Sequence, residues 1–130
     1  LYNRDSSGRG LGVIVGNMDQ QPGNDVYISN DVSSNNLWLT RSKSNHAGAF
    51  THFEDMAVSR GCAFDANGRG QASMGIGFGD LNRDLTCDLF ITNFFNEYNT
   101  VYLQSASGVF SDASRRLGFV SSSKQTLGFG

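Results

Sequence analysis

Short apolar alternations separated by polar turns run along the whole chain. Each is four to six residues long, rich in β-branched or aromatic residues, and bounded by Gly, Asn, Asp or Ser, which is typical of β-strands. The predicted strands are residues 11–15, 26–29, 37–40, 50–55, 74–78, 88–92, 100–103 and 109–112. The pattern therefore predicts an all-β chain with little helix.

The same pattern occurs twice. Residues 12–30 reappear as residues 75–93 without a gap, at an offset of 63. Further on, residues 37–39 match residues 101–103 at an offset of 64. A fixed internal period is the sequence signature of a repeat architecture. We divide the chain accordingly into a first repeat at residues 1–63, a second at 64–126, and the start of a third at 127–130.

Four short strands joined by tight turns are typical of one blade of a β-propeller. Stacked repeats bury their apolar faces only against neighbours, so two units alone leave faces open. We predict a β-propeller-type fold of two four-stranded antiparallel blades plus the start of a third. The chain would then be part of a longer protein or one member of a homo-oligomer. Residues 60–73 are predicted to form a surface loop between the blades.

Composition narrows the function classes. The chain has 130 residues, a net charge of −2, ten Phe, four Tyr and one Trp, enough for one packed domain with its aromatic residues in the core. Its charges form no basic face for nucleic acid, and no apolar run is long enough to span a bilayer. Cys62 and Cys87 are predicted to be buried free thiols, with a disulfide between them as the alternative.

The loop of residues 80–88 in the second repeat has the pattern of a calcium site. Calcium binds six to eight oxygen atoms, and a tight loop can aim alternate residues at the ion. The predicted ligands are the side chains of Asp80, Asn82, Asp84 and Asp88 and the backbone carbonyl of Thr86. Leu85 stands at the sixth position, where such loops favour glycine. The alternative is a turn in which Asp and Asn side chains cap their own backbone.

The corresponding loop of the first repeat, residues 17–25, is a poorer candidate. Its predicted ligands are Asn17, Asp19, Gln21, the backbone carbonyl of Gly23, and Asp25. Only two of these are carboxylates, and Pro22 stands where the glycine would be. A metal-free turn is therefore favoured over calcium for this loop.

Several linked segments carry a family resemblance. Residues 75–80, 88–94, 99–102 and 108–112 together resemble the FG-GAP/VCBS-type β-propeller repeat. The likeness is closest to the repeats of cartilage acidic protein and its bacterial relatives, and more distant to integrin α-subunits. The resemblance implies propeller blades that each hold one Ca²⁺ through the loop residues named above. It also implies a secreted, periplasmic or cell-surface location.

We therefore expect a non-enzymatic, calcium-binding module for extracellular binding, adhesion or scaffolding, with a protein or carbohydrate partner. His46 and His52 have no serine or cysteine nucleophile at a recognisable motif, which disfavours catalysis. Two alternatives remain open. One is the propeller portion of a polysaccharide-active hydrolase or lyase. The other is a lectin-like propeller that binds sugar through Trp38 and Tyr102.

Overall fold

The chain folds into two four-stranded antiparallel sheets, which confirms the all-β prediction. The computed structural model describes residues 8–45 and 48–129, with side chains described outside residues 44–50. The elements are β1 (Gly10–Gly16), β2 (Asp25–Asn30), β3 (Asn36–Asn45), β4 (Gly48–Asp55), α1 (Ala57–Arg60), β5 (Gly75–Gly79), β6 (Asp88–Thr92), β7 (Thr100–Gln104), β8 (Phe110–Asp112) and α2 (Phe119–Ser122). The sheet orders are β1-β2-β3-β4 and β5-β6-β7-β8. Residues 1–7, 46–47 and Gly130, which fall within the predicted repeats, lie outside the described residues.

The outer hairpin of the first sheet is longer than its sequence pattern predicted. β3 and β4 pair from Trp38 opposite Asp55 to Asn45 opposite Gly48, whereas β7 and β8 share only three paired positions. The extension contains Arg41, Ser42 and Lys43 and lacks an apolar alternation. Backbone pairing with β4 decides its conformation, and pairing of this kind is invisible to a local pattern.

The two sheets have the same internal hydrogen bonds at corresponding positions. The backbone N–H of Asn30 donates to Asn35 Oδ1 at 2.9 Å, and that of Asn93 donates to Asn99 Oδ1 at 3.0 Å. After the last strand, Met56 N–H donates to Leu37 O at 2.7 Å, and Ala113 N–H to Val101 O at 2.8 Å. Residues 63, 64 or 57 apart in sequence thus occupy equivalent places in the two sheets.

The sheets stack through unlike faces. β1 lies against β5, and a Cβ on Gly12 or Gly16 would come within 3.2 Å of Ile76 Cγ1 or 2.9 Å of Phe78 Cε1. Ile76 and Phe78 correspond to Val13 and Val15, which lie on the opposite face of β1 and are 66% and 60% exposed. The face that the second sheet buries against the first is therefore the face that the first sheet leaves open.

A single core cluster joins the two sheets and includes the second sheet's Leu89 and Ile91. Its first-sheet members are Tyr27, Leu37 and Leu39, and burying one such side chain contributes about 1.5–3 kcal/mol. The predicted aromatic core is only partly correct. Tyr27 and Tyr102 are buried and Trp38 is half-buried, but many Phe side chains are not in the core: Phe53, Phe64, Phe94, Phe95 and Phe129 are all exposed.

The predicted surface loop at residues 60–73 is instead half-buried. Cys62, Ala63, Asp65 and residues 71–73 are buried, and a tyrosine from each sheet contacts the linker. Tyr27 Oη donates to Cys62 O at 2.8 Å, and Tyr102 Oη donates to Phe64 O at 2.9 Å. These hydroxyls explain why tyrosine rather than phenylalanine stands at these two core positions: each packs its ring and satisfies a linker carbonyl.

The cysteines are free, with Cys62 buried and Cys87 half-buried. Burial raises the pKa of the Cys62 thiol to about 12, so this thiol stays protonated and behaves as a small apolar group. Within the described residues, no helix is long and apolar enough to cross a membrane.

Candidate metal loops and an inter-sheet cleft

Asp25 and Asp88, the ninth residues of the two loops, are fully buried anchors of the backbone. Asp88 accepts the N–H of Leu81 at 2.8 Å and that of Gln104 at 2.9 Å. Asp25 accepts the N–H groups of the corresponding residues, Met18 at 2.7 Å and Thr40 at 2.8 Å. Each carboxylate thereby ties the start of its loop to the third strand of its sheet. The sequence predicted a metal ligand at both positions and missed this backbone role.

The side-chain oxygens of the second loop converge on the backbone at its centre. The N–H of Asp84 is shared by Asp80 Oδ1 at 3.1 Å and Asn82 Oδ1 at 3.0 Å. The N–H of Leu85 donates to Asp80 Oδ2 at 3.0 Å. The side chains of the first and third residues therefore cap the backbone of their own loop, and their role as calcium ligands stays a prediction.

Asp84 closes the same loop from the other side. Its Oδ1 accepts the hydroxyl of Thr86 at 2.5 Å and the backbone N–H of Thr86 at 2.8 Å, and its Oδ2 accepts Asn82 Nδ2 at 2.8 Å. The side-chain and backbone hydrogen bonds from Thr86 lower the pKa of Asp84, which is consequently ionised at neutral pH. Asp80, Asp84 and Asp88 are the three acidic residues of this loop.

Leu85 takes a left-handed backbone conformation, with φ of 69°. Arg83 does so too at φ of 64°, matched by Gln20 at φ of 60° in the first loop. Left-handed backbone costs a residue with a β-carbon about 1 kcal/mol or more. The Leu85 side chain is 89% exposed, so burial does not offset that cost.

In the first loop, Asp19 forms an ion pair with Arg41 of β3. Asp19 Oδ2 accepts Arg41 Nη1 at 2.7 Å, and its Oδ1 accepts the N–H of Gln21 at 3.0 Å. Asn17 Nδ2 donates to Gln21 O at 2.6 Å, a bond within the loop that leaves Asn17 Oδ1 unused by the described residues. Because Thr40 corresponds to Gln104, the second-sheet residue equivalent to Arg41 is Ser105, which is uncharged. The two loops thus differ in how their acidic charge is compensated.

The fit of a divalent ion differs accordingly. In the second loop Asp80, Asn82 and Asp84 gather three side chains, and each Asp88 oxygen retains a lone pair beyond its one backbone hydrogen bond. In the first loop a guanidinium already neutralises Asp19, and Gly23 packs against Thr40, leaving no room for a side chain. No group of three or more His, Cys, Asp or Glu side chains among the described residues is arranged to hold a metal.

A tyrosine lies between a carboxylate of the linker and a carboxylate of β8. Tyr98 Oη lies 3.1 Å from Asp112 Oδ2 and 3.3 Å from Asp65 Oδ2, and burial raises the pKa of this phenol. Asp65 Oδ1 also accepts the N–H groups of Asn67 at 2.8 Å and Arg69 at 2.9 Å. Burial acts to raise the pKa of Asp65, but these hydrogen bonds outweigh it and lower the pKa overall. The Asp65-Ala66-Asn67-Gly68 turn was the only sequence signal for this cluster.

A polar cleft of about 650 Å³ opens between the two sheets on the side of the first loop. Its walls are residues 19–22, 40–42 and Arg60 from the first sheet, and residues 104–108 from the β7–β8 hairpin. Gln104 Nε2 donates to Met18 O at 2.6 Å across the sheets, in the buried region beside the cleft. Nothing in the local sequence pattern indicated this site, because its walls come from segments far apart in the chain.

The structure argues against the aromatic sugar platform that the sequence offered as an alternative. Tyr102 is only 1% exposed and its hydroxyl donates to the linker, so its ring is not available to stack on a ligand in the folded chain.

A scan against protein-family models finds no match to this chain, and a search of curated proteins finds none either.

Proposed function

We propose that this chain is a calcium-stabilised β-propeller-type repeat segment, of the FG-GAP/VCBS kind, that serves binding or scaffolding outside the cell rather than catalysis. The observation that carries the proposal is the stacking of two equivalent sheets through unlike faces. In a stack of this kind the open face of each unit is equivalent to the face that the preceding unit has already buried. Further units can therefore be added in the same direction.

The start of a third unit supports the same arrangement. After the first sheet, the linker accepts a backbone hydrogen bond at Gln71 O from Val32 N–H at 3.0 Å. After the second, Lys124 O accepts from Asn96 N–H at 2.9 Å, which repeats that contact one unit later. The chain then runs beside the second sheet, where Gly128 N–H donates to Asn93 O at 3.3 Å. A further blade would begin along this path.

Calcium belongs, in this proposal, to the second loop. No Lys or Arg nitrogen among the described residues lies within 4.0 Å of the Asp80, Asp84 or Asp88 oxygens. A divalent cation would supply the positive charge that this acidic loop lacks. Asp80, Asn82 and Asp84 would hold the ion, with Thr86 O and Asp88 completing the set. When bound, calcium supplies positive charge that fixes the bend between β5 and β6.

The first loop is proposed to be metal-free. Arg41 neutralises Asp19 permanently, so the loop keeps its shape without an ion. The two repeats would then use different cations for the same structural purpose: a guanidinium in one and calcium in the other.

The test is a calcium titration of metal-stripped protein, followed by thermal unfolding. Free calcium at about ten times its Kd should stabilise the fold by RT ln 11, about 1.4 kcal/mol. Asp84→Asn should reduce this gain strongly, whereas the matched change Asp19→Asn in the first loop should leave the gain intact. Absence of a calcium-dependent shift, or an equal loss in both variants, would contradict the assignment.

A further inference from the structure

We propose that the inter-sheet cleft binds an anionic oligosaccharide, with a carboxylate or sulfate group of the sugar held by Arg60. The cleft volume of about 650 Å³ falls within the range of about 300–1,000 Å³ typical of ligand sites. This site is separate from the proposed calcium loop of residues 80–88, so it does not depend on that proposal.

The walls of the cleft are held together before any ligand arrives. Arg60 Nη1 donates to Ser107 O at 2.9 Å, which ties the end of α1 to the β7–β8 hairpin. Gln104 Nε2 and Met18 O form a second tie at 2.6 Å, and both residues are buried. A site with fixed walls binds with a smaller entropic cost than one that must be assembled.

Among the described residues that line the cleft, two cations, Arg41 and Arg60, face a single acidic residue, Asp19. Arg41 lies between Asp19 at 2.7 Å and Glu54 at 3.9 Å, so its charge is neutralised within the first sheet. Arg60 has no carboxylate within 4.0 Å in the described part of the chain. Arg60 is therefore the uncompensated cation of the cleft.

The guanidinium of Arg60 retains donors for a ligand. One N–H of Nη1 is used at Ser107 O, and a guanidinium carries five. Nη1 lies only 2.5 Å from where a Cβ on Gly108 would stand, so the glycine leaves the space that the guanidinium fills. Since Ser107 and Gly108 both line the cleft, these donors lie at its wall, and a planar guanidinium fork matches a carboxylate or sulfate.

The remaining lining indicates a hydroxylated ligand rather than an apolar one. Hydroxyl and carboxamide side chains predominate, namely Gln20, Gln21, Thr40, Ser42, Gln104, Ser105 and Ser107. No aromatic ring is among the described residues that line the cleft, so a neutral sugar would find no stacking surface. An acidic sugar has the two features that the cleft matches, an oxyanion and a polar body. Leu117 stands at the position equivalent to Arg60 in the second unit, so this cation belongs to the first unit alone.

The experiment is an ¹⁵N-¹H NMR titration of the chain in EDTA with trigalacturonate, a sulfated trisaccharide and neutral maltotriose. We expect saturable shifts at residues 104–108 with one or both acidic sugars, weaker binding in added salt, and none with maltotriose. The two acidic sugars identify whether carboxylate or sulfate is preferred. Equal binding of maltotriose, or binding that needs calcium, would overturn the proposal.

Substitution at Arg60 tests the residue itself. Arg60→Gln should weaken binding of the preferred acidic sugar at least about tenfold, because a charge-assisted bidentate contact is lost. Arg60→Lys keeps the charge and the aliphatic stem, so it is the second test variant if Arg60→Gln does not fold. It should weaken binding of the acidic sugar less than Arg60→Gln does. Arg115→Gln removes an exposed arginine outside the cleft and should leave the affinity unchanged. An affinity that is unaltered in Arg60→Gln or in Arg60→Lys, or that falls equally in Arg115→Gln, would refute the role of Arg60.

Discussion

Replacing Asp88 by Asn tests whether the buried carboxylates are the anchors of the two sheets. The amide has the same shape but only one acceptor oxygen, and its NH₂ group would face a backbone N–H. One of the hydrogen bonds from Leu81 and Gln104 is therefore lost, and a buried donor is left without an acceptor. A hydrogen bond to a charged group contributes about 1.5–3 kcal/mol, and an unsatisfied buried donor costs about 1–3 kcal/mol.

We expect Asp88→Asn to lower the free energy of unfolding by about 3 kcal/mol, a large part of the roughly 5–15 kcal/mol available to a domain. Asp25→Asn should cost a similar amount, because Met18 and Thr40 donate to Asp25 at nearly the same distances. The assay is urea denaturation followed by circular dichroism in EDTA, which excludes any contribution from calcium. Asp31→Asn is the control, since only the backbone of Asp31 is hydrogen-bonded within the described residues, and it should change stability by less than about 0.5 kcal/mol.

The result is decisive in either direction. A cost below about 1 kcal/mol for both buried variants would show that these carboxylates do not hold the backbone as the distances indicate. A cost for Asp88→Asn alone would show that the two sheets are not energetically equivalent. Repeating the series with calcium should add a further loss for Asp88→Asn only, because the first loop is proposed to be metal-free.

Three further outcomes are expected. Leu85→Gly should stabilise the chain by up to about 1 kcal/mol in chemical denaturation, since glycine relieves the left-handed backbone and little burial is lost; a clear loss of stability would contradict this. Folding lowers the pKa of Asp65, so its carboxylate contributes stability at pH above the ordinary pKa of 3.8, and this contribution is lost as the pH falls through the lower pKa of the folded chain. The thermal midpoint should therefore fall in acid, and it should fall less steeply in Asp65→Asn. Identical pH profiles of the two proteins would count against this role of Asp65. Val15→Asp should reduce self-association measured by light scattering, since Val15 lies on the open face of β1; Ser42→Asp is the surface control, and a monodisperse monomer before substitution would contradict the open-face argument.

The alternation of apolar and polar residues was sufficient to predict all eight strands, because a strand with one buried face has a period of two that is written locally. The offset of 63 residues likewise predicted two equivalent units, and the structure places residues at that offset in equivalent positions. The acidic loop of residues 80–88 is visible in the sequence for the same reason, since its alternate oxygens lie within a few residues of one another, but its role in binding calcium stays a prediction. Sequence alone did not show that Asp25 and Asp88 hold the third strands, because their partners lie 15 and 16 residues away.

What the chain determined by itself is therefore local: the strands, their division into two units, and the acidic turn that begins each second strand. Tertiary structure decided the rest. It buried the linker under two tyrosine hydroxyls, left several Phe rings in solvent, and paired Arg41 with Asp19 in only one of two similar loops. It also made a cleft from residues 19–22 and 104–108, and joined Gln104 to Met18, 86 residues away, beside it. Packing and charge compensation depend on which distant side chains come into contact, and a periodic sequence pattern does not specify those contacts.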